Sequence, residues 1–358
     1  MADVGRGFDM TTDTQAGGPG VFVVSAGRCG STMLSNMLRL NPEILSLSEF
    51  LAMLLPDPLP PGELDAAAYW RLLTEPWPFF RHAYRLGVRV PEFLYLPGPA
   101  SRFTPASGIP PILITALPHL SEDPEALYDE VQAFVAGLTP ASAAAQHRRL
   151  FGWLCDRLGA RVWVERSGSS LLYVSRLAGL FRDARFVHLY RDGRECAYSM
   201  SRNAGFRLGA VAIMLQSRLG MSPYLGDDKP PGQVPPDLQP FMPETFDHEA
   251  FERFEVPVAE MGQFWSDMIM PALDVLASLP PERVLQVSYE DLVAEPRRAL
   301  LRLARFAGLP HPDPGWLDRA VDLIQPRPPR WLALPEEQIS ELTRVCEPAM
   351  RRLYGDSW

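Results

Sequence analysis

A run of β-branched and aromatic residues, Val21-Phe22-Val23-Val24, passes straight into a turn of small residues, Ser25-Ala26-Gly27-Arg28-Cys29-Gly30-Ser31-Thr32. Beyond the turn, Met33, Leu34, Met37 and Leu38 recur at helical spacing, and Asn41-Pro42 closes the segment. This order of strand, glycine-rich loop and helix constrains the chain more than any other feature. A strand without polar alternation is covered on both faces. A helix that follows it carries the chain back over the sheet by a right-handed crossover. The rhythm returns later in the sequence. Arg161-Val162-Trp163-Val164-Glu165 is expected as a second strand, followed by an amphipathic helix from Ser170 to Phe181. Arg185 to Tyr190 is expected as a third, running through Arg191-Asp192-Gly193 into another helix. A helix closing over Leu273 to Leu279 precedes the fourth, Val284-Leu285-Gln286-Val287-Ser288-Tyr289. Strands alternating with helices predict an α/β, P-loop-like three-layer fold with a central parallel sheet flanked by helices.

Two stretches interrupt the rhythm. Residues 51–160 are rich in Pro, Leu and aromatics, with short helices expected around Tyr69–Leu73, Pro124–Gly137 and Ala143–Leu158. They read as a largely helical insertion packed on the sheet as a cap. Trp70, Trp77, Phe79, Phe80, Phe93 and Tyr95 are expected first as the core of that insertion, and second as a pocket lining. Residues 220–245, centred on Lys229-Pro230-Pro231-Gly232, read as a loop without packed regular structure. Residues 1–19 are polar and Gly-rich and are expected to be a disordered tail. Residues 20–358 then form a single α/β domain. Its last helix is expected from about Glu336 to Leu353, with Ile339, Leu342, Val345, Cys346, Met350 and Leu353 on its buried face.

The net charge of −9 argues against a nucleic-acid partner, which needs a basic surface. The four cysteines, Cys29, Cys155, Cys196 and Cys346, form no CxxC pair and have no zinc-like spacing, so no metal is expected. So few thiols in a chain of 358 residues fit the reduced cytoplasm. No apolar leader and no apolar run of about 18 residues is visible, so neither a secretory signal nor a transmembrane helix is expected.

An acidic chain still binds an anion where its arginines converge. The turn after the first strand offers backbone N–H groups and a helix N-terminus, both favourable to negative charge. Ser31 and Thr32 add hydroxyls, and Arg28 adds a planar fork suited to phosphate or sulfate oxygens. A nucleotide-kinase loop, GxxxxGK[ST], would place lysine after the second glycine. Here Gly30 is followed by Ser31, which weighs against a P-loop kinase or NTPase. Asp192 is the only strand-end aspartate that could serve magnesium in that reading.

Four separated segments together resemble the sulfotransferases that use 3′-phosphoadenosine-5′-phosphosulfate (PAPS). The likeness is to the group of many bacterial enzymes and, more distantly, to protein-tyrosine sulfotransferases. It covers about half of the chain. Ser25 to Leu34 is similar to the family's 5′-phosphosulfate loop, which implies that Gly27, Arg28, Cys29, Gly30, Ser31 and Thr32 surround the 5′-phosphate and sulfonate. Tyr190-Arg191-Asp192-Gly193-Arg194, with Ser199 downstream, resembles the 3′-phosphate motif, which assigns that phosphate to Arg191 and Ser199. Val287 to Leu292, followed by Glu295-Pro296, resembles the unit near the adenine and puts Tyr289 beside the base. Arg327-Pro328-Pro329-Arg330-Trp331 resembles a late loop in which a basic residue before tryptophan reaches a donor phosphate. That residue is Arg330 here, with Arg327 as the second candidate.

The resemblance also implies the catalytic groups. Glu49, in Leu47-Ser48-Glu49-Phe50, stands where the tyrosine-sulfotransferase branch carries its base. Arg166 occupies the place of a family lysine that touches the bridging or sulfonate oxygen. An arginine there stabilises leaving-group charge but is a poor proton donor. Glu165 is expected to orient it through an ion pair. His119, in the insertion, is the second base candidate, and His188, inside an apolar strand, is expected to be structural. Cys29 lies at a helix N-terminus beside Arg28, which predicts a lowered thiol pKa, although the transfer needs no covalent nucleophile. The implied product is adenosine-3′,5′-bisphosphate. The accepting group is expected to be a hydroxyl (or amine) of a small molecule, lipid or carbohydrate held under the insertion, and a homodimer is among the expected assemblies. A non-catalytic nucleotide-binding relative is the remaining alternative, kept open by Arg166.

Overall fold

The computed structural model describes residues 20–227, 232–325 and 328–357. The expected tail, Lys229-Pro230-Pro231 and Arg327 lie outside the described residues. Five parallel strands make the central sheet: β1 (Val21–Val24), β2 (Ile44–Ser48), β3 (Val162–Arg166), β4 (Arg185–Tyr190) and β5 (Val284–Ser288), in the order β2-β3-β1-β4-β5. All of β1, β2 and β3 is buried, as strands between two helical layers must be. Phe22 on β1 packs edge-on against Trp163 of β3 and Phe181, with centroids at 5.2 and 4.9 Å. Burying such a ring contributes about 1.5–3 kcal/mol.

Helix α1 (Ser31–Arg39) leaves the glycine-rich loop and returns the chain to β2. Helix α2 (Ala143–Leu158) leads out of the insertion into β3. Helix α3 (Gly193–Arg202) opens directly after β4, with Asp192 capping it by accepting from the Arg194 N–H. Helices α4 (Ala204–Leu219) and α5 (Val258–Ala277) follow, and α6 (Tyr289–Ala294) starts at the end of β5, where Ser288 Oγ accepts from the Asp291 N–H. The last helix, α7 (Glu336–Tyr354), packs on α5. Gly193 lets α3 approach α5 closely, because a Cβ there would stand 2.4 Å from the Trp265 ring.

β2 is not expected from the sequence, and the reason is physical. Ile44-Leu45-Ser46-Leu47-Ser48 carries serines at positions that suggest a solvated face or a turn, yet both are buried. Ser46 Oγ donates to the Ser35 carbonyl at 3.0 Å, and Ser48 Oγ accepts from Arg166 at 2.6 Å. Satisfied hydroxyls cost little in a core. The single helix expected from Ser170 to Phe181 is instead a 3₁₀ turn (Ser170–Tyr173) followed by a helix (Val174–Leu180). Ser170 is tied back to the first loop, since the Ser25 N–H donates to its Oγ at 3.2 Å.

Residues 51–160 form short helices and a two-stranded ribbon, Glu63–Leu64 with Ala141–Ser142. Phe80, Phe93 and Tyr95 are buried there and Phe93 stacks on Tyr84 at 4.8 Å, so these aromatics are core. The described part of the Pro-rich stretch is better anchored than expected. It holds 3₁₀ turns at Pro223–Leu225 and Gln239–Phe241, and the fully buried Tyr224 donates its hydroxyl to the Phe241 carbonyl at 2.9 Å.

Candidate active site

The ends of the five neighbouring strands open on one place. At the end of β1, Gly27, Arg28 and Gly30 all take left-handed backbone with φ of 86°, 56° and 87°. Gly30 is required twice over, by its φ and because a Cβ would lie 2.4 Å from the Tyr289 ring. Among the described residues three non-glycine residues have positive φ: Arg28, Glu49 and Ser169. All three border this place. Backbone strain of about 1–3 kcal/mol per residue persists only where the surroundings impose it, and such residues gather at functional sites.

The ends of β2 and β3 carry a buried ion pair. Ser48 and Arg166 are register partners, so Glu49 follows directly beside the arginine. Arg166 Nη1 binds Glu49 Oε1, Nη2 donates to Ser48 Oγ, and the Gly168 N–H donates to Glu49 Oε2 at 2.7 Å. Arg166 Nε is buried without a hydrogen-bond partner among the described residues. Glu165 points to the other face of β3. Its Oε1 accepts from the Leu51 N–H at 3.2 Å and from Ser167 Oγ at 2.5 Å. Ser167 Oγ in turn accepts from the Ala52 N–H at 3.0 Å, so Glu165 and Ser167 fix the turn that carries Glu49. Burial pushes the Glu165 carboxyl up to about 7. Glu165 thus steadies the Glu49 turn, whereas the expectation was an ion pair with Arg166.

The ends of β4 and β5 gather the remaining cations. Arg191 lies over the Tyr289 ring at 4.0 Å. Its Nη2 stands 3.8 Å from Glu195 Oε1, one helical turn along α3. The same carboxylate accepts from Arg330 Nε at 2.9 Å, from the Arg330 N–H at 2.8 Å and from the Trp331 N–H at 3.4 Å. Four residues on, Ser199 Oγ accepts from Arg28 Nε at 3.1 Å. The contacts close a ring: Gly30 against Tyr289, Tyr289 under Arg191, Arg191 and Arg330 on Glu195, and Ser199 on Arg28. Arg28, Arg191 and Arg330 therefore meet around one helix turn of an acidic chain.

The other expected site residues fall as follows. Ser31 is buried and Thr32 exposed at the start of α1. Trp331 is buried, and Arg194 stacks on its ring at 4.2 Å. Cys29 is buried, and burial raises its thiol pKa, contrary to the expected lowering. Proximity to a helix N-terminus does not offset the loss of water. His119 is buried in a polar cluster with Nε2 3.2 Å from Ser35 Oγ, and burial holds it down at about 3. His188 is fully buried with neither ring nitrogen partnered among the described residues, in keeping with a structural role. Two site residues escaped the sequence reading. Glu195 had a signal, its place four residues after Arg191 in the turn that opens α3. Glu92, whose carboxylate pairs with Arg28, had none, because it lies in the insertion 64 residues away. No cluster of His, Cys, Asp and Glu able to hold a metal, and no helix long and apolar enough to cross a membrane, occurs among the described residues.

Among solved structures, the sulfotransferase domain of the curacin biosynthetic pathway aligns over 92% of this chain and 97% of its own, at 18% identity and a TM-score of 0.45. The sulfotransferase domain of the Synechococcus PCC 7002 olefin synthase covers 94% and 96%, at 20% identity and 0.45. A sulfotransferase from Alicyclobacillus acidocaldarius covers 94% of each chain, at 16% and 0.36. No curated protein matches by sequence. A family model described as a sulfotransferase domain matches residues 172–326. The model of the sulfotransferase family matches residues 19–217, more than half of the chain and every strand end but that of β5, and the chain belongs to that family.

Proposed function

We propose that the protein transfers a sulfuryl group from PAPS to a hydroxyl of a small acceptor, with Glu49 as general base. The observation that carries this reading is the convergence of Arg28, Arg191 and Arg330 beside the buried Glu49–Arg166 pair. A donor with a 5′-phosphosulfate and a 3′-phosphate needs cations at two separated points, and these arginines supply them. The residues fit it in other respects. Gly27 and Gly30 make a cradle that side chains would fill, and Arg166 keeps one N–H unused. PAPS supplies an activated sulfuryl group whose departure leaves adenosine-3′,5′-bisphosphate.

The chain's own work is positional and electrostatic. Arg28 and the N–H groups opening α1 hold the 5′ end. Arg191, stacked on Tyr289, and Arg330 hold the 3′ end, with Ser199 between them and Arg28. Glu49 takes the acceptor proton while the new O–S bond forms and the S–O bond of the P–O–S bridge breaks, its electron pair staying on the leaving phosphate oxygen. Arg166 and Arg28 meet the charge that grows on the leaving phosphate. Arginine stays protonated throughout, so Arg166 acts as a fixed cation and the leaving phosphate keeps its charge. Glu49 is favoured over His119 because its carboxylate stands at the strand ends beside Arg166 and the Gly168 N–H, whereas His119 is buried against Ser35 of α1. The insertion lies on the Glu49 side and is the part that would hold a small-molecule, lipid or carbohydrate acceptor.

Thermal melting with adenosine-3′,5′-bisphosphate and with ATP plus magnesium tests the donor. Stabilisation by the bisphosphate is expected, since a ligand that binds only the native state raises Tm. Stabilisation by ATP plus magnesium alone would overturn the reading.

A further inference from the structure

The insertion meets the glycine-rich loop through one ion pair among the described residues. Arg28 Nη1 binds the Glu92 carboxylate while Arg28 Nε donates to Ser199. Glu92 lies in a braced segment. Its carbonyl accepts from Thr115 Oγ1 at 2.7 Å. The Leu94 and Tyr95 N–H groups both donate to the Ile114 carbonyl, at 2.8 and 3.1 Å. Between them Phe93 is buried and stacked on Tyr84. The carboxylate is therefore delivered to Arg28 by the frame of the insertion. Glu92 is 18% exposed and Arg28 27%, so the pair is stronger than a fully solvated one.

Glu92 sits where an anionic ligand would compete with it. A phosphate oxygen and a carboxylate oxygen call on the same guanidinium N–H groups, and the two anions repel each other if both stay. We propose that Glu92 is a latch on Arg28 which the donor's 5′-phosphate displaces, so that donor binding loosens residues 91–95 of the insertion. The inference rests on the donor reading above and adds a coupling between the donor loop and the acceptor side. Glu92 is a positioning residue in this scheme. It holds Arg28 in its left-handed conformation while the loop is empty and lets go when the loop fills.

Titration calorimetry on the full chain separates the possibilities. Adenosine-3′,5′-bisphosphate carries the 5′-phosphate that competes with Glu92; adenosine-3′-monophosphate does not. Glu92→Gln should tighten the bisphosphate by about fivefold or more, a typical coupling between linked groups, and leave the monophosphate unchanged. Equal effects on both ligands, or on neither, would overturn the latch. Hydrogen exchange of the unaltered protein gives a second reading that needs no variant. The Leu94 and Tyr95 amides should exchange faster with the bisphosphate bound, and greater protection there would also overturn it. Failure of the unaltered protein to bind the bisphosphate would instead remove the donor reading itself.

Discussion

The strand ends and the insertion satisfy their buried polar groups in different ways. At the strand ends charges answer charges: Arg166 is held by Glu49, and Arg191 and Arg330 share Glu195. Three residues there keep a backbone conformation that side chains disfavour. In the insertion, side chains answer backbone. Tyr84 donates to the Tyr95 carbonyl at 2.9 Å, and Gln146 Nε2 donates to the Leu64 and Thr139 carbonyls at 2.9 Å each. His147 joins Tyr69 to the Pro58 carbonyl. The first arrangement gathers strain and charge in one place, whereas the second supports itself. Substitutions at the strand ends should cost function before stability, and substitutions in the insertion the reverse.

The sharpest test is Glu49→Gln. It should lower kcat by about 10²–10⁴-fold, the usual worth of a general base, while adenosine-3′,5′-bisphosphate affinity holds in calorimetry. Retained turnover would move the base elsewhere, with His119 next in line. Gly30→Ala comes second. It combines a positive φ with an overlap on Tyr289, and donor kcat/KM should fall about 100-fold in initial-rate assays. A normal value would show that the loop does not hold the donor.

The third prediction concerns pH. Burial holds His188 down at about 4, below its ordinary 6.5, so the unfolded chain takes up that proton before the native one does. The stabilisation is full above pH 6.5 and is lost as pH falls toward 4. His188→Phe should therefore lose about 2 kcal/mol less than the parent between pH 7 and pH 5 in denaturant titrations. His147, held at about 4, and His119, at about 3, act in the same sense and remain in the variant. Glu165 acts oppositely. Raised to about 7, it stabilises below about pH 4.5 and loses that effect as pH rises through 7. Parallel acid profiles for parent and variant would show that His188 gains a partner in solution. The smallest effect is expected from Phe134→Leu in the insertion, whose ring stacks on Trp153 at 4.8 Å, about 1 kcal/mol of stability with unchanged bisphosphate affinity. A change in donor affinity there would erase the contrast between the two regions.

The two regions also differed in how far they could be read from sequence. Loops at strand ends owe their function to local order, so Ser25 to Leu34 and Tyr190 to Ser199 announce themselves. The five-stranded parallel sheet was legible for the same reason, except β2, whose buried serines imitate exposure. Glu195 was within reach through its place four residues after Arg191. Glu92 was not, because the fold alone brings the insertion to Arg28. The burial of Cys29 likewise depends on packing that no neighbour in sequence reports.

Ser199 and Glu195 are rungs of the same helix, four residues and about 6 Å apart. Arg28 and Arg330 hang from those rungs, so their separation is that of a rigid rod and not of two loose side chains. The rod itself rests on Trp265 through Gly193. A methyl group added beneath it, at Gly193, would press on Trp265 and shift the helix that carries both contacts. In this architecture one helix ties the positions of two positive charges to each other.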